Sequence, residues 1–348
     1  YEKDGFYSLW YPDHLMSFFP ESIWSPETTS LATFLKSPHD VYNVFPTMTM
    51  AANNTKKILL GTGVTETFRY HPAVLAQIII TLDHLSKGRI ILGIGAGEKE
   101  NIVPYGIKWE NPVNRLEEAL NIVKLLWEND KKIDFNGKIW KLEDAVLSLK
   151  PYKKSKPPPI WIGAHGPKML ELTGKVGDGW LPVNLNLRKY KESLNQIQTS
   201  AKKAGRESKD ITPAIWLGLI TNKNGEEVDK MLESLIAKNH LLTRSSELFR
   251  QYGFSHPLGD NFRGIIDYIP TKYDKKTTME ALERISFQMC KELILNGTPD
   301  EIIAKIEEYA KVGAKHIILV DIAIQCDLFK GAESYNCMKE VITYFKGK

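Results

Sequence analysis

The stretch Arg89-Ile-Ile-Leu-Gly93-Ile-Gly95-Ala-Gly97-Glu98 decides the fold. Its first half is a compact apolar run without polar alternation, the pattern of a parallel strand covered on both faces. Its second half is glycine-rich and ends in a carboxylate. Gly93-x-Gly95 invites a dinucleotide-binding reading, but that fingerprint asks for a third glycine three positions on, where Glu98 stands. A carboxylate there would repel a pyrophosphate and obstruct close helix packing. The loop therefore reads as backbone approaching a flat ring, with Glu98 reaching the ring edge or the reacting centre. No GxxxxGKS/T phosphate loop occurs either.

Working outward, residues 6–11, 58–64, 160–164, 179–183, 214–221 and 316–322 have the same compact apolar character as 89–95. Amphipathic stretches separate them. After Pro112, Leu116, Ala119, Leu120, Val123, Leu126 and Trp127 fall on one helical face. Thr298-Pro-Asp-Glu301 has capping-box spacing with proline at the first helical position, and Gly313 supplies the stop. Repeated strand-then-helix units without a linker predict a single (β/α)8 TIM barrel over residues 1–348 rather than an open sheet. The missing eighth strand would be the first, with its helix closing on Gly5, so the supplied sequence is expected to begin after the true start. Two insertions interrupt the alternation. Residues 131–156 carry a hairpin around Asn136-Gly137, and residues 241–276 have weak periodicity and are expected to form an irregular lid or dimer segment.

Composition narrows the function. The net charge of +4, from 46 basic against 42 acidic residues, is too balanced for a nucleic-acid binder or an anionic membrane surface. The densest basic run, residues 150–156, reads as a solvated loop. Cys290, Cys326 and Cys337 lack CxxC spacing and leave one unpaired in any disulfide scheme, which fits a reduced cytoplasmic setting. The eight histidines form no HExxH and no Cys/His cluster, so no metal site is expected. No apolar run approaches the roughly 18 residues that a membrane helix needs. The first residues do not resemble a secretory signal.

In a barrel, chemistry gathers where strands end. One strand ends in Trp10-Tyr-Pro-Asp13-His14 and the next in Gly61-Thr-Gly63-Val64-Thr65. The next two end in Gly93–Glu98 and in Gly163-Ala-His165-Gly166. Four consecutive strands thus deliver titratable groups or glycines to one rim. His14, beside Trp10, Tyr11, Phe18 and Phe19, titrates near neutrality and suits the proton that accompanies hydride transfer; the plainer alternative is a satisfied loop histidine. Glu98 could instead be a rim ion pair, and His165 a helix-start residue. Asp83-His84 falls inside a predicted helix and reads as structural.

These strings, with Phe68-Arg-Tyr-His-Pro-Ala-Val-Leu-Ala-Gln77, Leu85-Ser-Lys-Gly-Arg89, Asn101, Gly177-Asp-Gly-Trp180 and Gly297-Thr-Pro-Asp-Glu301, resemble the luciferase-like barrel superfamily over nearly the whole chain. They are most similar to its branch that uses the deazaflavin coenzyme F420. Asp13-His14-Leu15, Ser37-Pro-His39 and Glu100-Asn-Ile-Val-Pro-Tyr-Gly106 look closest to the phthiodiolone ketoreductase-like members, and other strings to the methylenetetrahydromethanopterin reductase-like ones. The resemblance implies a non-prolyl cis peptide at Gly63-Val64 against the deazaflavin face. It implies cofactor contacts at Asp13, Gly63, Val64, Thr65, Gly95, Gly97, Glu98, Asn101, His165 and Gly166. It implies His14 as general acid/base, with Glu98 sharing proton handling, and a homodimer. The phosphate-binding basic residues of the sugar-phosphate branch have no counterpart. The expected reaction is hydride transfer between deazaflavin C5 and a small-molecule carbonyl or an iminium-like one-carbon unit. An FMN-dependent monooxygenase and a flavin-binding barrel without turnover are the alternatives.

Overall fold

The apolar runs become strands of a parallel sheet in the computed structural model, which describes residues 1–346. In chain order they are β1 (Ser8–Tyr11), β2 (Leu59–Thr62) and β3 (Ile90–Ile94), then the hairpin β4 (Ile133–Asn136) and β5 (Lys141–Ala145). There follow β6 (Ile160–Ile162), β7 (Gly179–Trp180), β8 (Thr212–Thr221), β9 (Leu295–Gly297) and β10 (His316–Asp321). Hydrogen bonding runs β1-β2-β3-β6-β7-β8-β10, with every neighbour parallel, and β9 pairs with the far end of β8. The strands on this path match the sequence-predicted runs one for one. Where the path ends, Ser8 Oγ lies 2.8 Å from His316 Nε2, and the Trp10 and His316 rings meet edge to face.

Sequential strands as neighbours, with helices between them, make this the α/β-barrel architecture. The helices that follow β1, β2 and β3 are α1 (Val44–Asn54), α2 (Pro72–Ser86) and α3 (Pro112–Glu128); those after β6 and β7 are α4 (Pro167–Val176) and α5 (Leu187–Lys203). α2 shows why the local sequence suffices. His71 Nδ1 accepts from Ala73 N, Pro72 opens the helix, and Lys87 closes it in the left-handed region at φ 60°. All of β3 is buried, Ile91 in one apolar cluster with Trp161, Leu181, Ala214 and Ile318, and Ile90, Leu92 and Ile94 in the larger cluster with the helices. That is why the run shows no alternation. Arg89, at the mouth of β3, gives hydrogen bonds to the carbonyls of Ala52, Thr55, Ile58 and Ser86, tying α1 and α2 to the sheet.

Two expectations need correction. β9 was not foreseen, because three residues ending in glycine carry no periodicity. Residues 241–276 are also not an irregular lid throughout. They include the end of the helix Leu235–Leu242 and the helix Ser246–Gln251, and Leu241, Leu242, Phe249 and Tyr268 are fully buried in a second apolar cluster with Ile23, Leu232 and Leu282. Helices of eight and six residues complete about two turns at most, and the first buries Ile236, Ala237, Asn239, Leu241 and Leu242 around its circumference, so neither writes a stripe into the sequence. The capping box at Thr298 forms as read, and Thr298 N donates to Glu301 Oε2 at 2.8 Å.

Candidate active site

The ends of β1, β2, β3 and β6 converge on a cavity of about 1830 Å³ that continues between β1 and β10. His14, Gly63, Val64, Thr65, Gly95, Gly97, Glu98, Asn101, His165 and Gly166 all line it. The Gly63-Val64 peptide is cis. A side chain at Gly95 would come within 3.0 Å of Val64 Cγ2, so only glycine lets the β3 loop lie flat against that bulge. Gly97 holds φ +89° and turns the chain so that Glu98 and Glu100 fall on one side of a short 3-10 turn. Trp10, Phe18, Phe19, Trp24, Leu181 and Trp216 supply an apolar wall.

Asp13 and His14 are adjacent in sequence but enter different networks. Asp13, expected as a cofactor contact, is buried and does not line the cavity. Its carboxylate accepts from Thr65 Oγ1 at 2.7 Å and Tyr70 Oη at 3.3 Å, and pairs with Arg69 Nη2 at 3.1 Å. Arg69 also donates from Nε to Glu66 Oε1 at 2.6 Å and from Nη2 to the Asp13 carbonyl at 2.7 Å. Burial works against the guanidinium charge, but Asp13 and Glu66 outweigh it and raise its pKa. This network braces the floor of the site.

His14 faces a different set. Its Nδ1 lies 2.8 Å from Glu100 Oε1, 3.0 Å from Asn101 Nδ2 and 3.8 Å from Glu98 Oε2, and its ring meets Phe18 edge to face at 5.0 Å. Nδ1 is therefore occupied and Nε2 is the ring nitrogen left for a ligand. Burial lowers the His14 pKa, although Glu98 and Asp13 pull the other way, so the ring is neutral near pH 7. Burial raises Glu98 far above the ordinary carboxylate range, and Glu100 beside it adds to the rise. Glu100, fully buried, is raised in the same direction by burial, against the pull of the Glu100 and Asn101 backbone N–H groups. One ligand atom from each of His14, Glu98 and Glu100 lies within 4.8 Å of the others.

The other predicted residues divide. His165 Nε2 accepts from Val183 N at 3.2 Å, and burial, then Arg244, pushes its pKa down to about 4, so it is a neutral wall group rather than a proton carrier. Asp83 takes the Tyr152 N–H at 2.8 Å and His84 Nε2 lies 2.8 Å from the Lys150 carbonyl oxygen, so both staple α2 to the 150–156 loop. Sequence reasoning missed Glu66, Arg69 and Glu100 as site residues. Glu98-Lys-Glu100-Asn101 looks like a solvated acidic turn until the turn is folded under a barrel rim. The spacing of two between the acids was the available signal.

A flat ring fits the cavity as shaped by the cis bulge, Gly95, Gly163 and Gly166. Asn184 lines the same space with Oδ1 taking the Gly218 N–H, while its Nδ2 finds no protein acceptor and is free to serve a ligand. The wall groups that could hold such a ring are the residues just listed together with Thr65, Glu98 and Asn101.

Residues 1–316 match the family model of luciferase-like monooxygenases. A phthiodiolone/phenolphthiodiolone dimycocerosates ketoreductase of Mycobacterium tuberculosis is 36% identical over 318 residues, spanning 90% of this chain and 83% of that one. A 5,10-methylenetetrahydromethanopterin reductase of Archaeoglobus fulgidus is 30% identical over 292 residues, 82% of this chain and 83% of that one. Among solved structures, an F420-dependent secondary alcohol dehydrogenase in complex with an F420-acetone adduct shares the fold at a TM-score of 0.73 and 22% identity, over 98% of this chain and 92% of that one. Barrel, rim and relatives agree: the chain belongs to the luciferase-like monooxygenase family, as an oxidoreductase.

Proposed function

We propose that the chain is a coenzyme F420-dependent oxidoreductase that interconverts a ketone and its secondary alcohol. The observation that carries this reading is the state of His14: a neutral ring, tied at Nδ1, with Nε2 left for an apolar cavity. A carbonyl that accepts hydride becomes an oxyanion and needs a proton at once, whereas an iminium-like acceptor does not. A site that fixes one ring nitrogen and frees the other is built for the first case. The names of the ketoreductase relatives and of the alcohol dehydrogenase support the same choice.

The deazaflavin supplies the hydride at its C5 when bound. The chain's residues do the rest. Val64, Gly95 and Gly166 would hold the cofactor through backbone and apolar contact, and Asn184 and Thr65 would offer it polar contacts. The Asp13–Arg69–Glu66 network fixes the loop that carries His14. The aromatic wall excludes water, which strengthens every electrostatic contact inside. His14 Nε2 gives the proton to the developing oxygen, or takes it from the alcohol in reverse.

The test is anaerobic mixing of the purified protein with reduced F420 and a panel of apolar ketones, following the return of oxidised deazaflavin absorbance, beside reduced FMN with oxygen. Ketone-dependent oxidation of F420 is expected. Turnover with FMN and oxygen, and none with F420, would replace this reading with the monooxygenase one.

A further inference from the structure

His14 as described poses a chemical question: a ring held neutral by burial is a poor reservoir for a proton that must be delivered during the reaction. The answer lies on the far side of the ring. Asn101 Oδ1 accepts the Leu15 N–H at 2.7 Å, and because a backbone amide can only donate, this fixes which way the Asn101 amide points. Its Nδ2 must then face His14, and it does, 3.0 Å from Nδ1. One hydrogen of this amide faces the Asp13 carbonyl oxygen at 3.5 Å, and the other, turned toward Nδ1, disfavours a proton on that nitrogen. That leaves the single Nδ1 lone pair as an acceptor shared between the amide and the nearer Glu100, with the ring proton on Nε2. Glu100 Oε1, 2.8 Å from the same Nδ1, has nothing to accept from it. The contact is a hydrogen bond only if the carboxyl carries the proton.

We infer that Glu100 is a protonated carboxyl that donates to Nδ1 of neutral His14 and feeds the proton that His14 delivers from Nε2. This step rests on the ketone-reduction reading. As the carbonyl carbon accepts hydride, which brings two electrons, the C=O π bond opens onto oxygen. The Nε2–H bond breaks and an O–H bond forms on the substrate. The Oε1–H bond of Glu100 breaks and an Nδ1–H bond forms, so the ring ends neutral in its other tautomer. The products are the alcohol, the ring with its proton on Nδ1, and a Glu100 carboxylate. No imidazolium is required at any stage.

The surroundings suit such a store. Glu100 is fully buried and does not line the cavity, and its Oε2 has no hydrogen-bond partner among the described residues, a cost that a neutral carboxyl bears far more readily than an anion. Glu98, which does line the cavity, stands beside both Glu100 and His14 and gives a route for reloading from solvent after product leaves. The ionisable groups facing Glu100 are Glu98 and Tyr105 on its own segment, His14 with Asp13 behind it on the β1 exit, and Arg69 on the β2 exit. Arg69 and Glu98 favour the anion left after delivery, while burial favours the protonated store before it. Glu100 touches the ring and not the substrate, so it is a positioning residue whose cargo is a proton.

Glu100→Gln tests this, because the amide keeps a donor against Nδ1 but cannot release it. Ketone reduction should fall on the order of 10²-fold in kcat, with the dissociation constant for reduced F420, read by fluorescence, unchanged. The alkaline limb of the kcat–pH profile should disappear. A structural role alone would leave both the profile and kcat near wild type, and that outcome overturns the proposal. An independent readout needs neither turnover nor cofactor. The infrared difference spectrum of the wild-type protein between neutral and alkaline pH should contain a protonated-carboxyl C=O band that shifts in D2O and is missing from Glu100→Gln. The 15N spectrum of His14 should show the Nε2–H tautomer. Absence of that band, or an Nδ1–H ring, overturns the proton store even if F420 turnover is confirmed. Their presence in a protein that does not turn over F420 would fault the ketone reading and leave the protonated Glu100 standing.

Discussion

Two clusters share the rim of this barrel a single peptide apart, and they treat buried charge in opposite ways. Around Asp13, two carboxylates meet one guanidinium and the remaining lone pairs find Thr65 and Tyr70. Around His14, two carboxyls crowd a neutral ring with no cation of the described residues in direct contact. In the first arrangement every charge has a partner. In the second, burial without a cationic partner pushes the carboxyl pKa values up and the histidine pKa down. Adjacent residues can thus stand in unrelated surroundings, one paired with a cation and one set among carboxyls.

The contrast can be broken most sharply at His14. His14→Ala should lower kcat for ketone reduction by roughly 10²–10⁴-fold, about 3–5 kcal/mol of barrel-rim catalysis, with F420 affinity retained. Steady-state kinetics beside a fluorescence titration separate the two, and an unchanged kcat would remove His14 from the chemistry. Arg69→Met attacks the paired cluster instead. It leaves Asp13 and Glu66 buried without their cation, and urea unfolding should report a loss of about 3–5 kcal/mol. A loss below 1 kcal/mol would mean that the network does not brace the fold.

The third test uses pH. Glu98 and Glu100 have folded-state pKa values raised above the unfolded value of 4.5. The folded state therefore binds more protons than the unfolded one, and stability from this pair is full below that value and drains away as pH rises through the raised range. Stability measured by urea unfolding at about pH 5 to 9 should fall with pH in wild type and stay flatter in Glu98→Gln/Glu100→Gln. Equal slopes would deny the unpaired character of the cluster. The smallest effect is expected for Thr65→Val, which deletes one donor to Asp13 and should cost about 1 kcal/mol in urea unfolding.

How much of this was legible before folding depends on how local the cause is. The β3 run, the α2 caps and the Thr298 capping box are set by neighbours within a few residues, and each reappears where the pattern puts it. The rim residues His14, Gly63, Val64, Gly95 and Glu98 were named because strand ends in a barrel share one edge. β9 and the short helices of residues 235–283 were hidden because their stability comes from the contacts of the second cluster and not from their own periodicity.

By itself, then, the sequence determined the order of strands and helices, the glycines that admit a flat ring, and the family to which the chain belongs. Only the tertiary structure decided what each ionisable group does. Asp13, expected as a cofactor contact, is paired with Arg69, which lies 56 residues away. Glu100 was lifted from an ordinary acidic turn to a partner of His14, 86 residues off. The physical reason is that a side chain's charge state is a property of its surroundings, of desolvation and of the charges within a few ångströms, and those are assembled from distant parts of the chain.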